Sequence, residues 1–259
     1  MTRRRGGLWP VVRRIWITLG ISATIVFVTW SLIAYRASSE AREALVSDGA
    51  VTITRGEYHW VFRPRATTST VGLLFYPGAL VDPVAYAPLL RAVSEAGYPA
   101  LLVEVPRRGG FGGAEGAAPL TRGVAAMQAL PDVTRWVVAG HSRGGEIASR
   151  LARTNAGSLV GLVLLGTSHP RDFSLANSGL RVTRVYGTRD TVADVEKLER
   201  TKANLPADAR HVRIDGGNHS QFGSYGFQPG DWPATISREE QARLSLEAVL
   251  EMLRSVPRS

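Results

Sequence analysis

Short apolar runs alternate with amphipathic stretches from residue 70 onwards. Runs that lack a polar face predict strands buried on both sides, and they cover residues 71–76, 100–105, 136–139, 159–165 and 182–186. A further strand is predicted at residues 210–214, where polar and apolar residues alternate. The intervening stretches predict helices at residues 83–96, 120–130, 146–153, 192–204 and 237–253. This alternation indicates an α/β fold with a mostly parallel sheet of about seven or eight strands and helices on both faces.

The first 50 residues follow a different pattern. Residues 15–35 contain no charged residue and are long enough, as a helix, to cross the hydrocarbon core of a membrane. An uncleaved signal anchor is favoured over a cleaved signal peptide, because the apolar run is long and no small-residue cleavage site follows it. We therefore predict a basic cytoplasmic tail, a transmembrane anchor, a linker and one α/β domain that opens with a hairpin, at residues 1–14, 15–35, 36–49 and 50–259.

Charge and composition reduce the number of functions that the chain could have. The formal net charge is +9, but the first 36 residues carry six arginines and no acid, which leaves +3 on the remainder. The basicity is therefore a topology signal that places the N-terminus in the cytoplasm and the domain outside, and it disfavours a nucleic-acid partner. The chain has no cysteine, which excludes disulfides and thiolate chemistry. We predict a reaction that needs no metal or other cofactor.

The sequence Gly140-His141-Ser142-Arg143-Gly144 follows a buried strand and precedes a helix. In this context G-x-S-x-G predicts a sharp, strained turn that lifts Ser142 above the edge of the sheet as a nucleophile. A serine hydroxyl needs a base, and the base needs a group that fixes its tautomer.

The base and the acid should follow Ser142 along the chain. His219, just past the last strand, is preferred as the base over His211, which belongs to the alternation of that strand. Asp190 lies just beyond the end of the strand 182–186 and is the preferred acid. Two other acids stay open, Asp172 after the preceding strand and Asp194 in the first turn of a helix.

Backbone N–H groups should hold the oxyanion that forms during acyl transfer. One is predicted at Arg143, next to the nucleophile, and the other at Ala79 or Leu80, after the strand 71–76. Residues that could line a pocket, or only pack its loops, are His141, Leu80, Phe222 and Tyr225. The segment 166–181 is too short for a large cap domain.

Four segments together carry a family resemblance: Phe75–Ala79, Gly140–Gly144, Tyr186–Asp190 and Gly217–His219. Their order resembles the α/β-hydrolase superfamily, in particular the compact bacterial group related to dienelactone hydrolases, with an added membrane anchor. The resemblance covers about residues 50–255 and implies a serine hydrolase. Well-known dienelactone hydrolases use a cysteine nucleophile, which this chain lacks, so that activity does not carry over.

These observations predict a membrane-anchored serine hydrolase that acts on a small-molecule or lipid ester through Ser142, Asp190 and His219. One alternative is an acyltransferase that uses the same triad on a lipid or cell-envelope alcohol. A second alternative is a non-catalytic binding module with the same fold.

Overall fold

The computed structural model describes residues 8–66, 69–154 and 157–257. Its strands are β1 (Val51–Arg55), β2 (His59–Pro64), β3 (Val71–Tyr76), β4 (Ala100–Val103), β5 (Arg135–His141), β6 (Leu159–Leu165), β7 (Arg181–Gly187) and β8 (Arg210–Ile214). Its α-helices are α1 (Trp9–Ala34), α2 (Ser39–Glu43), α3 (Ala87–Glu95), α4 (Ala118–Met127), α5 (Arg143–Thr154), α6 (Val195–Arg200) and α7 (Arg238–Ser255).

All eight strands form one sheet in the order β1-β2-β4-β3-β5-β6-β7-β8. The hairpin β1–β2 is antiparallel and joins β4 antiparallel, while every pair from β4 to β8 is parallel. This confirms the predicted mostly parallel α/β sheet. All residues between β6 and β7 are described and none lies in a helix or strand, so no cap domain covers the site there.

Side chains of successive strand residues point to opposite faces and build two cores. Leu73 and Phe75 of β3 pack into the cluster that contains the buried faces of α3 and α7. Leu74 and Tyr76 pack into the second cluster, with α4 and α5. Because both faces are covered, the central strands β3–β6 are buried and almost entirely apolar, and this explains why continuous apolar runs predict them correctly.

Some element boundaries differ from the predicted ones. The helix expected at residues 192–204 is limited to α6, because Asp194 lies at its N-cap and accepts a hydrogen bond from the backbone N–H of Lys197. A separate 3-10 turn, Lys202–Asn204, follows. The helix predicted from residue 146 begins at Arg143, directly after the proposed nucleophile.

Helix α1 is long and apolar enough to cross a membrane, with a mean hydropathy of 1.7 over Trp9–Ser31 and none of that window buried against the protein. It begins six residues before the predicted span, and residues 1–7 of the predicted basic tail lie outside the described residues. The predicted linker contains α2, and Ala37 and Ala41 are buried in the core of the α/β domain.

Candidate active site

Ser142 occupies the turn between β5 and α5. Its φ of 52° lies in the left-handed region, which is strained for a residue with a side chain. The backbone N–H of Ser142 donates to the carbonyl of Leu165 at the end of β6, at 3.0 Å. The strained turn is thus fixed to the neighbouring strand and holds the hydroxyl at the carboxyl edge of the sheet.

The two flanking glycines are required by close backbone approaches. A Cβ on Gly140 would lie 2.3 Å from the carbonyl group of Gly144, and a Cβ on Gly144 would lie 2.2 Å from the carbonyl oxygen of Tyr76. Neither neighbour is a flexible side chain that could move away. The G-x-S-x-G spacing therefore follows from how tightly α5 packs onto the ends of β3 and β5.

The structure brings the predicted base and acid together. Nδ1 of His219 lies 2.8 Å from Oδ2 of Asp190, and both side chains are buried. Because a carboxylate only accepts hydrogen bonds, Nδ1 carries the proton and Nε2 is left with its lone pair. Within the described part of the chain, Nε2 is buried without a hydrogen-bond partner. The pair has the arrangement that a general base requires.

Two further hydrogen bonds hold the carboxylate of Asp190. Its Oδ1 accepts from the backbone N–H groups of Val192 and Ala193, at 2.9 and 2.7 Å. The alternative acids lie elsewhere: Asp172 is exposed, and Asp194 caps α6. Asp190 is therefore the acid that contacts His219.

The hydroxyl of Ser142 makes no hydrogen bond to His219 in this structure, among the residues described. His141 is next to both residues. It directly precedes Ser142 in the chain, and its ring centroid lies 4.5 Å from that of His219. The alternative base, His211, is exposed on β8. The structure thus pairs His219 with Asp190 and places the serine turn beside that pair.

The loop after β3 distinguishes between the two candidates for the second oxyanion donor. The N–H of Leu80 donates to the carbonyl of Arg108 at 2.7 Å, so it is already engaged. The N–H groups of Ala79 and Arg143 make no hydrogen bond within the described residues. Ala79 is therefore the better candidate of the two.

His141 is completely buried behind the nucleophile and is not exposed to a pocket. The hydroxyl of Tyr86 accepts from the N–H of Gly78 at 3.0 Å and is hydrogen-bonded to Nδ1 of His141 at 2.7 Å. Burial, with a smaller contribution from His219, holds the pKa of His141 well below its ordinary value. A neutral His141 therefore links the loop after β3 to the serine turn.

Two polar residues that sequence reasoning missed hold the loop of His219. The buried carboxylate of Asp231 accepts from the N–H of His219 at 3.2 Å and from the N–H of Ser220 at 2.8 Å. Gln241 of α7 accepts from the N–H of Asn218 and donates to its carbonyl. Burial raises the pKa of Asp231, whereas the hydrogen bonds from the N–H groups of Ser220 and His219 favour its charged form. No periodic signal marks such residues.

The two aromatic residues predicted to line a pocket, Phe222 and Tyr225, are both buried. Phe227 and Trp232, which follow them in the same loop, are exposed. Phe222 and Tyr86 also line a cavity of about 260 Å³ between α3 and α7. His141 and Tyr225 do not line it.

Comparison with known proteins identifies the class. The model of the alpha/beta hydrolase family matches residues 72–243, and the chain therefore belongs to this family. A search of curated proteins found no match.

Solved structures share the fold at low sequence identity. A putative dienelactone hydrolase from Klebsiella pneumoniae is 16% identical, with 80% of this chain and 100% of that chain covered and a TM-score of 0.57. A lidless serine hydrolase from Xanthomonas campestris is 13% identical, with 82% and 99% covered and a TM-score of 0.58. A bacterial membrane phospholipase A is 15% identical, with 95% and 99% covered and a TM-score of 0.55. The resemblance to dienelactone hydrolase-like serine hydrolases thus extends to the fold.

Proposed function

We propose that the protein is a membrane-anchored serine hydrolase that acts on carboxylic esters. The observation that carries this proposal is the buried His219–Asp190 pair, 2.8 Å apart, at the same sheet edge as the strained turn of Ser142. The pair provides a base with a defined tautomer, and the turn presents a hydroxyl to it. Membership of the α/β-hydrolase family supports the same chemistry.

In the proposed reaction, Oγ of Ser142 attacks the ester carbonyl carbon while Nε2 of His219 takes the hydroxyl proton. The N–H groups of Arg143 and Ala79 hold the negative oxygen of the tetrahedral intermediate. His219 then gives its proton to the leaving alcohol oxygen. A water molecule then attacks the acyl-enzyme carbonyl while His219 takes its proton, and His219 returns that proton to Oγ of Ser142 as the bond to the acyl group breaks and the carboxylic acid is released. Asp190 stays ionised and orients the imidazole throughout.

Helix α1 is proposed to be an uncleaved anchor, with the N-terminus in the cytoplasm and the hydrolase domain outside. Its length and hydropathy support a span, and the arginines that precede the apolar run support this orientation. The structural match to the solved membrane phospholipase A covers 95% of this chain, whereas the match to the family model is limited to residues 72–243.

The test uses the full chain in detergent, with a fluorophosphonate probe and a p-nitrophenyl ester series of increasing acyl length. Ser142→Ala should abolish labelling and lower ester hydrolysis by about 10³-fold or more, because no other group replaces the nucleophile. Ser174→Ala, in an exposed loop, is the matched control. Labelling that persists in Ser142→Ala would refute the assignment. Alcohols added to the same assay separate hydrolysis from acyl transfer.

A further inference from the structure

The end of α1 is joined to the hydrolase domain by backbone hydrogen bonds. The carbonyl of Ala34, the last residue of the helix, accepts from the N–H of Gly226 at 2.8 Å. The carbonyl of Tyr35 accepts from the N–H of Asp82 at 2.9 Å, and Ala37 forms a β-bridge with Tyr225. No flexible tether therefore separates the helix from the domain.

These contacts lie at the edge of the sheet that carries the candidate site. Asp82 belongs to the loop after β3, the same loop that holds Ala79. Tyr225 and Gly226 belong to the loop that follows His219. Because the end of α1 is bonded to both loops, a membrane that contains α1 must begin close to this edge.

Exposed apolar side chains are concentrated at the same edge. Apart from α1, its N-cap residue Leu8 and Val46, the large hydrophobic residues that are exposed among the described residues lie at the carboxyl edge of the parallel strands. They are Tyr58, Leu80, Phe111, Phe227 and Trp232 in loops or turns, and Val195 at the start of α6. Phe227 directly follows Gly226, the residue bonded to α1. An apolar surface with this one-sided distribution indicates an apolar partner at that edge.

The loop of Phe111 has the composition of a segment that contacts a membrane surface. The side chain of Phe111 is 86% exposed, and the exposed Arg107 and Arg108 precede it. The bond from Leu80 N–H to the Arg108 carbonyl ties this loop to the one that contacts Tyr35. Aromatic and basic residues together favour the lipid headgroup region, where the ring enters the apolar boundary and arginine faces phosphate.

We propose that the carboxyl edge of the sheet rests on the bilayer from which α1 emerges, and that the ester which reaches Ser142 belongs to a membrane glycerolipid. The occupant of the apolar edge is thus the lipid surface itself. The substrate part of this inference rests on the proposed hydrolase function. The docking part rests on the span of α1 and on the contacts of its last turn.

The docking part can be tested without any activity. Because the chain has no cysteine, Phe111→Cys and Phe227→Cys each introduce a single site for a fluorophore. The labelled full chain is reconstituted into vesicles of phosphatidylcholine and phosphatidylglycerol that include lipids with a nitroxide on the acyl chain. Ala207→Cys, in the exposed turn before β8 at the opposite edge, is the control.

We expect quenching at positions 111 and 227 to exceed that at position 207 about fivefold, since only buried labels meet the acyl chains. Equal quenching at the three positions would overturn the docking. Labels at 111 and 227 that are shielded from aqueous iodide but not quenched by the lipids would indicate a protein partner, which also overturns it.

The substrate part is tested with Phe111→Asp and Phe227→Asp in the full chain, with Ala207→Asp as control. Hydrolysis of glycerolipid in the vesicles should fall about tenfold in the first two variants, while p-nitrophenyl acetate is hydrolysed as before. If the unmodified chain hydrolyses p-nitrophenyl acetate but no vesicle lipid, the lipid substrate is refuted and the hydrolase function stands. If it hydrolyses neither, the hydrolase function itself fails, and the quenching experiment still decides the docking.

Discussion

The carboxylate of Asp231 holds the backbone of His219, while Asp190 holds its imidazole. The two carboxylate oxygens of Asp231 accept from three backbone donors, the N–H groups of His219, Ser220 and Trp232. A histidine that acts as a base must keep Nε2 aligned with the serine hydroxyl within a few tenths of an ångström. Asp231 is therefore a positioning residue for the proposed reaction.

Asp231→Asn should impair this positioning. An amide has only one acceptor oxygen, so its NH₂ group would face a backbone N–H that now loses its partner. We expect kcat for a short p-nitrophenyl ester to fall about tenfold, the equivalent of one lost buried hydrogen bond, with KM little changed. Asp208→Asn, in an exposed turn at the opposite edge, is the matched control. An unchanged kcat, or a change confined to KM, would contradict the positioning role.

At the scale of elements, the strand–turn–helix unit β5–Ser142–α5 depends on the close contact between Gly144 and the end of β3. Gly144→Ala would place a methyl group 2.2 Å from the carbonyl oxygen of Tyr76 and 2.5 Å from that of Pro77. Because both atoms are backbone, α5 must move away from the sheet. We expect a loss of about 3 kcal/mol in the free energy of unfolding, measured by chemical denaturation in detergent.

Gly157→Ala is the control for this substitution, since a Cβ there meets no heavy atom within 4 Å. It should change the free energy of unfolding by less than about 0.5 kcal/mol. Equal stability of the two variants would show that the strand–turn–helix unit does not need a glycine at position 144.

The elements were largely predictable from sequence because burial on both faces produces continuous apolar runs. Strand ends then place Ser142, Asp190 and His219 at one edge without any knowledge of side-chain contacts. Asp231 and Gln241 could not be found in this way. They act through hydrogen bonds between segments that are distant in the chain. No periodic pattern in the sequence indicates such contacts for polar residues in irregular loops or on a helix.

At the scale of the whole molecule, sequence predicted the apolar N-terminal helix but not how the domain is attached to it. Residues 36–49 are polar and read as a linker, yet the small side chains of Ala37 and Ala41 pack into the domain. The attachment depends on backbone hydrogen bonds such as Gly226 to Ala34, which have no signature in residue type. Orientation relative to a membrane is therefore a property of the tertiary structure.

The stability of the whole molecule should fall at mildly acidic pH, and His169 provides a test. Burial lowers the pKa of His169 to about 3, and nearby arginines act in the same direction. Between that value and the ordinary value of about 6.5, the unfolded chain binds a proton that the folded chain does not. The free energy of unfolding contributed by neutral His169 is thus present above about pH 6.5 and is lost as the pH falls towards 3.

His169→Gln removes this titration. Between pH 6.5 and pH 5 we expect the variant to lose about 1–2 kcal/mol less stability than the unmodified chain, in chemical denaturation curves recorded in detergent. Burial raises the pKa of the neighbouring Glu146, which acts in the opposite direction but is present in both proteins. His211→Gln, on an exposed part of β8, should retain most of the acid dependence. If His169→Gln and the unmodified chain lose stability equally over this range, His169 is protonated in the folded state, and the structural reason for its low pKa is wrong.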